Sequence, residues 1–262
     1  MNERATKFVE GRMAMYTPRC PVCKGSGMGD SIFSGQPIKI SCPSCSDKGK
    51  RCEWFASKFF SSEMVLPRYQ GAFLSRLKPS GESSLPLERQ ERVLAALREA
   101  PDSGYAFYGP AMAGKSTFSV ALYAQMLWQE ARTANIYDPK YKTPIWRIST
   151  KTLLDQHQEW TMRHNFDEDH QPDEPMVTAA KIMRCKDNGS TYRLFLEEID
   201  KIKETEVRRA TLFEILNVLH GCEGQLVITS NLTPEQFKER MGDDFNHRVG
   251  TLCRVVNFWE DK

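Results

Sequence analysis

Long apolar runs are missing from this sequence of 262 residues: none approaches the roughly 18 to 20 consecutive apolar residues needed to cross a bilayer. The opening stretch, Met1-Asn-Glu-Arg-Ala-Thr-Lys-Phe-Val-Glu, lacks the apolar core of a secretion signal, so a cytoplasmic protein is expected. A large charge imbalance is missing too. The 36 Lys and Arg face 34 Asp and Glu, and the net charge of +2 by itself points to no class of partner. No repeat and no low-complexity tract is present, which sets aside repeat arrays and compositionally biased tails. What remains is ordinary soluble composition, 40% apolar and 27% charged, with room for one sizeable α/β domain and something small beside it.

The even balance hides an uneven distribution. Residues 1–60 hold ten Lys/Arg against five Asp/Glu, a net +5 that leaves the remainder at −3. Five of the eight cysteines, Cys20, Cys23, Cys42, Cys45 and Cys52, fall in the same segment, while Cys185, Cys222 and Cys253 are scattered. Cys20-Pro-Val-Cys23 and Cys42-Pro-Ser-Cys45 are two Cys-x2-Cys knuckles separated by 18 residues. In a reducing compartment they supply four thiolates for a tetrahedral Zn²⁺, and the Pro, Gly and Ser around them permit the tight turns that aim both pairs at one metal. A redox dithiol would need only one pair and a different fold, and the spacing does not favour an iron–sulfur cluster. Cys52 is either a fifth thiol or a small buried apolar residue. A closed four-cysteine site leaves no coordination position for a substrate, so it holds a small partner-binding domain together. Lys39, Lys48, Lys50 and Arg51 give that domain either a surface for nucleic acid or an acidic protein, or a merely solvated basic face.

Three segments are expected: a zinc-ribbon domain over 1–60, a linker and N-terminal helices over 61–100, and the main α/β domain over 101–262. Residues 1–19 have weak helical spacing. Over Trp54–Met64 the aromatics at 54, 55, 59 and 60 share one helix side, for stacking on bases or for docking the ribbon onto the main domain. Leu66-Pro67-Arg68-Tyr69 ends that helix, residues 78–86 form a loop, and Leu87–Ala100 is an amphipathic helix.

The chemistry begins at Gly104-Tyr-Ala-Phe-Tyr108, a short apolar strand. It is followed by Gly109-Pro110-Ala111-Met112-Ala113-Gly114-Lys115-Ser116-Thr117 and then by a helix with Phe118, Ala121, Leu122 and Met126 at helical spacing. Strand, glycine-bounded loop and helix together meet the demands of a polyphosphate site. Backbone N–H groups point inward, a helix N-terminus adds partial positive charge, Lys115 reaches the terminal phosphates, and Ser116 offers a hydroxyl to Mg²⁺. Binding of ATP with Mg²⁺ is the expectation.

Further along, Pro144–Ser149 reads as a strand, Thr152–Met162 as a helix, and Val177–Met183 as a turn or two of helix. Residues 166–174 carry five carboxylates without calcium-loop spacing, which suits a solvated loop better than a cation site. Tyr192-Arg-Leu-Phe-Leu-Glu197-Glu198-Ile-Asp200 is an apolar strand delivering carboxylates at its end. Beside a phosphate loop, Glu197 is expected to hold the Mg²⁺ shell and Glu198 to orient and deprotonate the attacking water. A periodic helix over Glu206–His220, a buried strand from Gln225 to Thr229-Ser230-Asn231, a helix capped by Thr233 and a last strand over Cys253–Phe258 complete the chain. Residues 242–249 read as a lead-in to that last strand.

The order of these parts resembles the AAA+ ATPases and, within them, the DnaC/DnaI helicase-loader and IstB group. The resemblance rests on Leu66-Pro-Arg-Tyr69, Gly109–Ser116, Leu196-Glu-Glu-Ile199, Leu212-Phe-Glu-Ile-Leu-Asn217, Val227-Ile-Thr-Ser-Asn-Leu232 and His247-Arg248-Val249, which together span residues 66–258. It implies a parallel sheet flanked by helices without a C-terminal lid. It also implies that Lys115 and Ser116 contact phosphate and Mg²⁺, with Glu197 as the Walker B acid, Glu198 as base and Asn231 as sensor 1. Arg68 and Tyr69 would lie at the nucleotide, and Arg248 would be an arginine finger acting on a neighbouring subunit, hence a homo-oligomer; the alternative for Arg248 is a surface Arg in a loop. The ribbon resembles the zinc-binding domain with which some loaders hold their helicase. The implied partners are a replicative helicase and single-stranded DNA, or, in an IstB-like transposition helper, a transposase and double-stranded DNA. A zinc-ribbon adaptor that binds nucleotide and barely hydrolyses it is the third reading. It is motivated by two departures from the group, Met112 where Gly is usual, crowding the loop, and Glu197 where Asp is usual, with a longer reach to Mg²⁺; a third departure is Asp200 where Gly is common.

Overall fold

The computed structural model describes residues 28–33, 36–41, 54–55, 57–59, 65, 67–69, 72–134, 141, 143–166, 175, 177–202 and 205–259. The Zn²⁺ site expected from Cys20, Cys23, Cys42 and Cys45 lies outside them, as do Cys52, the helix suggested for 1–19 and the acidic run 167–174. The chain divides into two compact units, residues 1–63 with 127–141, and residues 64–126 with 142–262.

In the first unit, β1 (Met28–Phe33) and β2 (Gln36–Ser41) form an antiparallel ladder in which Met28 pairs with Ser41 and Phe33 with Gln36. Much of the interval between the two cysteine pairs is thus a hairpin, with only Ser34-Gly35 between its strands. The described part of the 54–64 segment is helical, and its aromatics are interior. Phe55 and Phe59 are buried and stack at 5.4 Å, and Phe55 meets Trp128 edge-on at 5.6 Å. Of the two uses open to these rings, base stacking is set aside for Phe55 and Phe59, because a ring buried on both faces has none left for a base.

The second unit is built on five parallel strands: β3 (Tyr105–Tyr108), β4 (Ile145–Ser149), β5 (Arg193–Glu197), β6 (Gln225–Ser230) and β7 (Arg254–Asn257), in the spatial order β4-β5-β6-β3-β7. Strands covered by helices on both faces need apolar residues throughout, which is why Leu194, Phe195 and Leu196 occur in succession, each fully buried. The connections are α1 (Leu87–Glu99) before β3, α2 (Lys115–Thr133) after it, α3 (Thr150–Phe166) and α4 (Ala179–Asp187) between β4 and β5, and α5 (Glu206–Gly221) between β5 and β6. After β6 come α6 (Pro234–Met241) and α7 (Asp243–Leu252). Thr233 caps α6 as expected, with Gln236 completing a reciprocal capping box and Pro234 in the first turn.

Two boundaries differ from expectation. Thr178 accepts from the Lys181 backbone N–H and so starts α4 at Ala179, and the helix runs on to Asp187. Residues 242–249 are mostly helix rather than a lead-in. Gly242, at φ +90°, turns the chain from α6 into α7, Asp243 and Asp244 sit where the helix N-terminus favours negative charge, and Phe245 and Val249 are buried one turn apart. Among the described residues no helix is long and apolar enough to cross a membrane.

Candidate nucleotide site

Parallel α/β sheets open a crevice at the C-terminal ends of their strands where neighbouring connections diverge. Here β3 lies between β6 and β7, and the loop leaving β3 is Gly109–Gly114. Gly109 is required for packing: a Cβ there would sit 2.4 Å from Phe258 Cβ. Phe107, Phe118 and Phe258 form the aromatic bed under the loop, with centroids 5.7 to 6.4 Å apart. Gly114 is required for conformation, at φ +91°. The loop is tied to its neighbours by Gly109 N–H to the Ser230 carbonyl at 3.1 Å and by Ser84 N–H to the Met112 carbonyl at 3.2 Å.

Met112 does not crowd the loop. Its side chain is 78% exposed, and the departure from glycine acts through the backbone, which holds a non-glycine residue at φ +65°, a left-handed conformation worth about 1–2 kcal/mol of strain.

Above the loop is a cleft of 640 Å³, lined by residues 111–118 and by Arg68, Tyr69, Glu198, Asp200 and Asn231, among others. Arg68 and Tyr69 belong to a short 3-10 turn, Pro67–Tyr69, with the guanidinium 4.7 Å from the Tyr69 ring centroid. Lys115 is 8% exposed. Its ammonium donates to the carbonyls of Gly109 and Pro110, both at 2.7 Å, and to Asn231 Oδ1 at 3.0 Å. Burial lowers its pKa to about 8, with Asp200 and Glu197 opposing the shift. A phosphate entering the cleft therefore meets an amine that gains by holding its proton.

The two glutamates at the end of β5 part company. Glu197 is 2% exposed and does not line the cleft. Its Oε1 accepts from Ser119 Oγ at 2.5 Å and from Arg147 Nη2 at 3.0 Å, and its Oε2 accepts from Thr229 Oγ1 at 3.1 Å. The extra methylene expected to lengthen the reach toward Mg²⁺ instead serves this buried cluster. Glu198, at φ +55°, turns outward; its N–H is held by Thr229 Oγ1 at 2.9 Å and its carboxylate pairs with Lys201 at 2.5 Å, both side chains half exposed. Asp200 accepts from the Asn231 backbone N–H at 2.9 Å and from Asn231 Nδ2 at 3.0 Å.

Arg248 is on α7, where its Nε donates to Asn217 Oδ1 at 2.8 Å, and it does not line the cleft. Ser116 and Thr117 do line it. Sequence reasoning missed Arg147, Ser119 and Thr229. The available signal was a cation inside the apolar run Ile145-Trp-Arg-Ile148. Among the described residues, no three His, Cys, Asp or Glu side chains converge to hold a metal ion. For Mg²⁺ the cleft offers the Ser116 hydroxyl, beside a Glu198 carboxylate paired with Lys201 and an Asp200 carboxylate bonded to Asn231, hard oxygen donors that suit an ion bound largely through phosphate and water.

No family model matches the chain, and no curated protein matches it in sequence. Solved structures do. The crystal structure of the DnaC helicase loader is similar with a TM-score of 0.52 at 16% identity, over 74% of this chain and 99% of that one. The structure of AMPPCP-bound DnaA from Aquifex aeolicus follows at 0.48 and 14%, over 73% and 51%, and the crystal structure of DnaI at 0.42 and 12%, over 71% and 93%. The assignment of fold rests on the first of these. In fold, a five-stranded parallel sheet flanked by helices, the chain is similar to the DnaC helicase loader structure.

Proposed function

We propose that the chain is an ATP-binding and ATP-hydrolysing protein of helicase-loader type, which assembles on DNA and delivers or remodels a replicative helicase. The observation that carries this reading is the contact of Lys115 with Asn231, which joins the phosphate loop to the tip of the neighbouring strand inside one cleft. Residues 109–117 would cradle the phosphates, Mg²⁺ would be held by the Ser116 hydroxyl together with phosphate and water oxygens, and its charge would offset that of the phosphates. Glu198, whose carboxylate lines the cleft, takes the role of base. Arg248 stands apart from its own chain's cleft, as a residue acting on a neighbouring subunit would. The cysteine-rich N-terminal segment would carry a zinc ribbon that grips the helicase.

The test is ATP turnover by purified protein with and without single-stranded DNA. Stimulated turnover that is lost in Glu198→Gln and in Arg248→Ala supports the reading. Capture of a transposase in place of a helicase, unaffected by Cys42→Ser, would sink its loader part. A second reading, a nucleotide-binding adaptor with slow hydrolysis, draws on the three internal acceptors that already engage Lys115. Nucleotide binding with no rate sensitive to either substitution would select it.

A further inference from the structure

We propose that Asp200 is a positioning residue for the reaction: it clamps Asn231 so that the carboxamide oxygen faces Lys115 and one amide hydrogen is left on the same side, toward the terminal phosphate. The inference rests on the reading of the cleft as a site of ATP hydrolysis.

The geometry is specific. Both oxygens of Asp200 are engaged by a single residue, one by the backbone N–H of Asn231 and the other by its Nδ2. An ionised carboxylate only accepts and an ammonium only donates, so Asp200 on one side and Lys115 on the other permit one orientation of the Asn231 amide, with Nδ2 toward Asp200 and Oδ1 toward Lys115. A carboxylate that bridges a residue's own backbone N–H and its side-chain Nδ2 takes the amide hydrogen nearer the main chain. The second hydrogen, which lies beside Oδ1, remains for the cleft where Lys115 would meet phosphate. An asparagine aimed this way is a preorganised donor, the kind of group whose value lies in needing no reorientation during the reaction.

Asp200 is itself held in place. It belongs to the 3-10 turn Ile199–Lys201, Ile199 is fully buried, and Lys201 N–H closes on the Glu198 carbonyl at 2.9 Å. A glycine at position 200 would leave the Asn231 amide held by Lys115 alone.

The experiment is a double-mutant cycle on ATP turnover with Asp200→Ala, Asn231→Ala and the pair, with thermal melting as a check on folding. Loss of one aimed donor costs on the order of 10²–10³ in rate, so a misaimed one is expected to lower kcat by about tenfold or more while KM for ATP changes less than about threefold. Once Asn231 is gone, Asp200→Ala is expected to add almost nothing. Asp200→Asn, which keeps one acceptor and sets its own amide against a donor, is expected to fall between wild type and Asp200→Ala. Effects of the two single changes that multiply, or an unchanged kcat in Asp200→Ala, overturn the proposal.

A second measurement is independent of turnover. With asparagine labelled by ¹⁵N and the unliganded protein observed by NMR, the Asn231 side-chain amide is expected to exchange slowly with solvent and to lose that protection in Asp200→Ala. Equal exchange in the two proteins overturns the proposal. A wild-type protein that turns over no ATP would refute the function proposed above, and the amide measurement alone would then decide this inference.

Discussion

The buried floor behind the cleft lining and the rim of the cleft use the same residue types in opposite ways. On the floor, Glu197 and Arg147 form an ion pair with both side chains almost wholly buried, completed by Ser119 and Thr229. On the rim, one residue later, Glu198 and Lys201 form an ion pair with both side chains half exposed. A desolvated pair is costly to assemble and far more costly to break, because the partner left behind is an unsolvated charge. A wet pair contributes little and is free to rearrange. The floor therefore fixes where the rim stands, and the rim keeps the freedom to rearrange that the proposed chemistry needs.

That comparison can be broken at several points. The largest effect is expected on the floor: Arg147→Met should destabilise the fold by about 3–5 kcal/mol in urea unfolding, and combining it with Glu197→Gln should recover part of the loss. An effect under about 1 kcal/mol, the range of exposed pairs, would mean that the floor is not desolvated. Next comes Glu198→Gln, where loss of the proposed base is expected to lower the proposed ATPase rate by about 10²–10⁴ while the unfolding free energy moves less than about 1 kcal/mol. A large loss of stability would erase the distinction between the two neighbours.

The third prediction concerns protons. The native Lys115 titrates near 8 and an unfolded lysine near 10.5, so between these values the unfolded chain holds a proton that the native chain has released. Stability is then expected to rise with pH across that window through this group. Polyphosphate binding near its lower edge should take up protons, seen as a buffer-dependent enthalpy in calorimetry. Proton release on binding would contradict the burial of Lys115. The smallest effect is expected on the rim, where Lys201→Gln should change stability by less than about 1 kcal/mol.

Much of this architecture is legible in the chain. The strand, loop and helix from Gly104 to Met126 are local features, each set by periodicity or by a glycine, and they stand where the pattern places them. The pair Glu197-Glu198 is different. Both read as cleft acids, and what separates them is Arg147, fifty residues earlier on the adjacent strand, with Ser149 rather than Arg147 directly opposite Glu197 in the ladder. A contact set by strand order and twist leaves no local mark except an ill-placed cation in an apolar run. The same holds for α7, whose short apolar spacing of Phe245, Val249 and Leu252 is interrupted by Asn246, His247, Arg248 and Gly250. Its helical state depends on the reversal at Gly242 and on the pocket that receives Phe245. Asp200 was visible only as an unusual residue; its two bonds to Asn231 required β6 to lie beside β5.

Trp259 offers a practical opening. Its indole N–H donates to the Leu232 carbonyl at 3.1 Å, and Leu232 follows Asn231 at the tip of β6, while Arg89 holds the carbonyls of Asn257 and Trp259. The tip of β6 is thus wired to a native fluorophore. If a nucleotide draws Lys115 from Asn231, the strain on that short peptide link should register as a change in emission from this ring, giving a dye-free optical gauge of occupancy once the tryptophans at 54, 128, 146 and 160 are replaced.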